Sequence, residues 1–119
     1  MSRNFQAGDF LIFQIESAYG LLRILAIEET DEGKVWHLAA YNEMFLDIDS
    51  ADLALENSNN LTINYPHLAL TNRAFESTQV ARMKNESLNK NELTTFEEWK
   101  TSANREVSDL SVRLLLGLR

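Results

Sequence analysis

The sequence predicts an α+β fold that is mostly β: a small antiparallel β-barrel or strongly bent sheet, SH3-like or cupin-like in outline, with a C-terminal amphipathic helix. Three observations predict it. Residues before Glu56 alternate with the period of strands, short polar turns separate those runs, and the last quarter of the chain changes to a helical period. A length of 119 residues fits one compact domain, since two halves of about 60 residues would each bury too little surface. The expected division is a β meander over 8–42, an irregular acidic segment over 43–60, further strands over 61–84 and a helical segment over 95–116.

The first strand is Phe10 to Glu16, where Leu11, Phe13 and Ile15 make one apolar face. Ala18-Tyr19-Gly20 reads as the turn, and Leu21 to Glu28 follows, apolar on both faces apart from Arg23. Thr30-Asp31-Glu32-Gly33 has the composition of a hairpin loop. Lys34 to Tyr41 then sets Trp36, Leu38 and Ala40 against Val35, His37, Ala39 and Tyr41. Strands with apolar residues on both sides need both sides covered, which suits a barrel or a sheet capped by a helix.

The middle is read as a short helical turn over Ser50 to Leu55, with Asp49 or Ser50 as its N-cap, and a loop over Glu56 to Asn60. Leu61 to Tyr65 and His67 to Thr71 alternate again around Pro66, which marks an edge or a break. Thr78 to Lys84 alternates too, with Val80 and Met83 as its inward members. Asn85 to Asn91 reads as a polar loop. Thr94 with Glu97 and Thr95 with Glu98 form two overlapping capping boxes. From there Phe96, Trp99, Ala103, Val107, Leu110 and Leu114 make one helical stripe, in a helix that runs to about Leu116 or breaks near Asn104 into two pieces. The stripe is read as covering the sheet, with a homodimer face through Trp99 and the Leu-rich end as the other use.

The absence of cysteine removes disulfide frameworks, thiolate nucleophiles and cysteine-ligated metal sites. Four glycines at 8, 20, 33 and 117 cannot build a phosphate-cradling loop. His37 and His67 are the only imidazoles, and neither has the flanking motif of a catalytic base; they could form a two-histidine metal site only if folding brought them together. Asp47 to Asp52 lacks the central glycine and distal glutamate of a calcium loop. No catalytic residue, cofactor or metal is therefore assigned. No export signal or apolar membrane span is evident, so the sequence predicts a soluble, cytoplasmic protein.

Charge is the strongest functional signal. The formal charge is −7, and residues 1–72 carry three basic side chains against 11 acids, while residues 73–119 carry eight against seven. Such a field repels nucleic-acid phosphates and attracts a basic protein surface. The partner-binding candidates are Glu43, Asp47, Asp49 and Asp52. The competing reading is a small-molecule-binding barrel with Phe13, Trp36, His37 and Tyr41 lining its cavity.

Gly8-Asp9-Phe10-Leu11-Ile12, followed by Tyr19-Gly20-Leu21-Leu22-Arg23-Ile24-Leu25, resembles the opening of the immunity-protein-26 type of bacterial domain. The resemblance covers about a third of the chain. It implies a small β-barrel-like protein that binds and neutralises a toxin, or a descendant adapted to another partner. In it Gly8 and Gly20 would permit tight entries, and Arg23 would bridge acids on a neighbouring strand.

Overall fold

The computed structural model describes residues 4–116. Its five strands are β1 (Asp9–Ile15), β2 (Ala18–Thr30), β3 (Gly33–Phe45), β4 (Ile63–Thr71) and β5 (Ala81–Asn85), joined in one antiparallel sheet of order β4-β3-β2-β1-β5. The meander β1-β2-β3 is as the alternation predicts. The sheet stays open, with β4 and β5 as its edges, so the structure is mostly β without closing into a barrel.

The double-faced strands are covered by helices on both sides. Leu11, Phe13, Leu22, Ile24, Trp36, Leu38 and Ala40 face α2 (Asn72–Thr78) and α4 (Val112–Leu115), whose Ala74, Phe75 and Val112 complete that core. The alternate residues meet the other two helices. Phe10, Ile12, Leu21 and Tyr41 pack on Ala51 and Leu55 of α1 (Ile48–Leu55), and Leu25 and Ala39 pack on Phe96 of α3 (Lys90–Thr101). The strand period of two therefore sorts the apolar residues into two cores separated by the sheet.

Several elements differ from the sequence reading. The β1–β2 turn is Glu16-Ser17, because Ile15 pairs with Ala18 and Glu16 takes the positive φ of 52°. Gly20 lies inside β2, where a Cβ would come within 2.9 Å of the Phe13 ring, so it is required for close approach and not for a turn. Helix α1 starts two residues earlier than expected, on an Asp47 N-cap whose side chain accepts from Ser50 N at 2.7 Å. Pro66 sits within β4, on the edge of the sheet, where the register with β3 shifts. Helix α2, absent from the sequence reading, begins at a Thr71 cap and ends at Gln79 in the left-handed region.

The C-terminal segment is not one helix over 95–116 but two pieces, as in the reading with a break near Asn104, the break spanning 102–111. Asn89 and Glu92 form the capping box that starts α3 at Lys90, earlier than the Thr94 and Thr95 boxes, and α3 ends at Thr101. The chain then gives its backbone to the sheet: Ser108 N donates to Ala69 O, and Thr71 N donates to Ser108 O. Those bonds outcompete a continuing helix because they satisfy the outer edge of β4. Among the described residues only the four of α4 are helical beyond that, held by Arg113 donating to the carbonyls of Gln14, Ser77 and Thr78.

Candidate functional site

The expected partner-binding acids gather where β3 runs into α1. Glu43 stands near the end of β3 and accepts from the Thr62 backbone N–H at 3.0 Å and the Thr62 hydroxyl at 2.7 Å. Partial burial disfavours its charged form, but the Thr62 bonds outweigh that and keep its carboxyl below the ordinary range. Asp47 is the α1 cap, and the Ser50 backbone bond holds its carboxyl low as well. Asp49 and Asp52 project from the exposed side of α1. Among the described residues no Lys or Arg pairs with any of the four.

Sequence reasoning missed what lies between these acids. Met44, Leu46, Ile48 and Leu53 are all exposed, Leu46 at 84% and Leu53 at 65%. In α1 the burial of Ala51 and Leu55 turns Ile48 with Asp52, and Asp49 with Leu53, to the solvent side as i, i+4 neighbours. The alternation of acid and apolar side chains from Glu43 to Leu53 was the available signal. Four other acids of the negative half, Glu28, Glu29, Asp31 and Glu32, belong to the β2–β3 hairpin end. Glu28 pairs across from Val35, eight residues along β3 from Glu43, on the order of 25 Å away. The acids between Glu28 and Asp52 thus form two clusters at opposite ends of a strand.

The four cavity candidates do not meet in one cavity. Phe13 and Trp36 lie in the core under α2 and α4, where the Trp36 ring stacks on Phe75 at 3.8 Å and its indole N–H donates to Asn72. His37 and Tyr41 face the opposite side of the sheet. The sheet itself separates the pairs.

His37 and His67, far apart in sequence, are brought into contact. His37 Nε2 lies 2.8 Å from Glu28 Oε1, and His37 Nδ1 lies 2.9 Å from His67 Nε2. The carboxylate takes the His37 Nε2–H, which leaves Nδ1 to accept from the His67 Nε2–H. Burial lowers both imidazoles, His67 to about 4; Glu28 works against that effect at both rings. Phe96 and Trp99 of α3 close over the pair at 4.5 and 4.6 Å from the His37 ring. The facing nitrogens are spent on each other, and among the described residues no group of three or more His, Asp or Glu side chains is placed to hold a metal ion. Glu28, His37 and His67 form a hydrogen-bonded ladder, two imidazoles ending on a carboxylate, that ties β4, β3 and β2 beneath α3.

A groove borders the acidic end on the α1 and α3 side of the sheet. It has two adjoining chambers of about 250 and 200 Å³ that share Tyr41, Ile63, Asn89 and Glu92. Arg23 forms part of its floor. Its side chain is 2% exposed, and it binds Glu92 through two bonds and the carbonyls of Gly8 and Ser87. Arg23 therefore bridges to a helix and not to an acid on a neighbouring strand.

Comparison with family models, with curated proteins and with solved structures returns no match for this chain. No helix of the described residues is long and apolar enough to cross a membrane.

Proposed function

We propose that this protein is a non-catalytic interaction module that binds a basic protein partner through the acidic, apolar surface at the β3–α1 junction. The observation that carries this reading is the interleaving of Met44, Leu46, Ile48 and Leu53, all exposed, with Glu43, Asp47, Asp49 and Asp52. Exposed apolar side chains supply affinity on loss of water, while uncompensated carboxylates steer and select a positive surface. An immunity-type role is the form that the Gly8-Asp9 and Tyr19-Gly20-Leu21-Leu22-Arg23 resemblance supports, with the basic surface of a toxin as the partner. A cytoplasmic location accords with that role.

The test compares wild type with a variant carrying Glu43→Gln, Asp47→Asn, Asp49→Asn and Asp52→Asn. Asn caps a helix as well as Asp does, and Gln keeps an acceptor for Thr62, so the surface loses charge without losing its frame. Affinity capture from host lysate in low salt, followed by a salt step, should recover a basic protein on wild type that the variant fails to retain. Equal retention by both proteins would defeat the reading.

A further inference from the structure

We propose that the groove between the Ser58–Asn60 turn and the start of α3 receives a lysine side chain of the basic partner, its alkyl stem on Leu61 and Ile63 and its ammonium at the Tyr41 hydroxyl. This rests on the interaction reading above and gives the partner a specific anchor.

Tyr41 is only 6% exposed, yet its hydroxyl has no hydrogen-bond partner among the described residues. Among the described residues every fully buried side-chain polar atom does have one, so the hydroxyl must keep its small exposure, and the groove is where Tyr41 opens. Buried tyrosines ordinarily find a partner for the O–H. A phenol oxygen left open in this way accepts from an ammonium.

The charges around it select a cation. Burial acts most strongly on the Tyr41 phenol and Arg23 next, with Glu92, Glu86 and Glu43 opposing Arg23; among the side chains that line the groove, the carboxylates of Glu86 and Glu92 outnumber the Arg23 cation. Arg23 is neutralised by Glu92, and Lys84 meets Glu86 at 2.9 Å. The Glu43 carboxylate, held ionised by Thr62, is left uncompensated. Arg23 is not free to receive an anion, because Nε, Nη1 and Nη2 are all bonded within the protein. Leu61 and Ile63 give the groove an apolar wall for a four-carbon stem, and an ammonium's three donors suit a phenol and carboxylates better than a planar guanidinium fork would.

The experiment titrates isotope-labelled full-length protein with Nα-acetyl-lysine methylamide, with Nα-acetyl-norleucine methylamide as the uncharged comparison, and follows amide chemical shifts. The expected result is saturable shifts at Tyr41, Ile63 and Asn89 with the lysine probe only, and at least fivefold weaker binding to Tyr41→Phe. That substitution keeps the ring on Phe10, and the wild-type shift map stands even if the variant misfolds. Equal response to norleucine, shifts confined to other residues, or unchanged affinity in a folded Tyr41→Phe would overturn the groove. Should the captured partner still bind Tyr41→Phe at full strength while losing the four-acid variant, the groove falls and the interaction surface stands. Full retention by both variants defeats the two together.

Discussion

Arg23 on the central strand and Glu92 in the first turn of α3 form a two-bond ion pair, Nε to Oε2 at 3.0 Å and Nη2 to Oε1 at 3.2 Å, across 69 residues of sequence. The guanidinium also lies over the Phe10 ring, 4.2 Å from its centroid. One buried charge therefore joins β2, β1 and α3. Its donors are matched almost completely, which is the condition under which a buried arginine is tolerated.

Glu92→Gln should expose that dependence. It retains the shape of the capping box with Asn89 but leaves the Arg23 charge buried among neutral acceptors. Glu92 is itself 23% exposed, which softens the loss, so the expected destabilisation is about 2 to 3 kcal/mol. Urea denaturation gives the measurement, and a midpoint equal to wild type would show that the pair contributes nothing net.

Gly8 and Gly33 both take positive φ, 94° and 116°, but their surroundings differ. A Cβ at Gly8 would stand 2.6 Å from the Glu86 carbonyl oxygen, whereas nothing lies within 4 Å of one at Gly33. Gly33→Ala should cost about 1 kcal/mol from backbone strain alone, and Gly8→Ala about 3 kcal/mol, because the strand junction with Glu86 must also move. Thermal unfolding of the two variants in parallel checks the order; a larger loss at Gly33 would contradict it.

Alternation in β1, β2 and β3 was legible because both parities carry apolar residues, and each parity is buried under its own helices. Helix α2 was hidden because seven residues with no apolar stripe stand between two strand-like runs, and its cap is a Thr that alternation assigned to β4. The unbroken stripe from Phe96 to Leu114 misled for the opposite reason: its period is helical, but Ser108 gains more from bonding β4 than from extending α3. At the candidate site the acids were legible from charge alone. Tyr41 is a candidate from the sequence only as one of four residues of a single cavity, and His67 only on the condition that folding brings it to His37; the face each one takes depends on strand register.

Acid should loosen the α3 face through the histidines. Burial, and then the neighbouring His37, hold His67 at about 4, below the ordinary 6.5 it regains on unfolding; burial also lowers His37. A depressed imidazole makes the unfolded chain bind protons more readily, so stability is full above about pH 6.5 and falls as pH drops toward 4. For His67 alone the loss reaches about 2 kcal/mol once its partial exposure is discounted. His67→Gln, which can still donate to His37 Nδ1, should flatten the slope of unfolding free energy between pH 6.5 and 4. An unchanged slope would place the acid response elsewhere.

The exposed apolar residues give a prediction that needs no partner. Leu46 and Leu53 contribute little to either core, being 84% and 65% exposed, so Leu46→Ser and Leu53→Ser should leave unfolding free energy within about 0.5 kcal/mol of wild type. The surface they make is another matter. Removing two large side chains from a cluster that includes Met44 and Ile48 should lower binding of a hydrophobic fluorescent dye and raise the concentration at which the protein self-associates. Stability held constant with dye binding reduced would mean that these leucines are kept at the surface for contact. A loss of several kcal/mol would mean instead that they pack against the domain in solution, and the acidic end would then lack the apolar contacts on which partner binding depends.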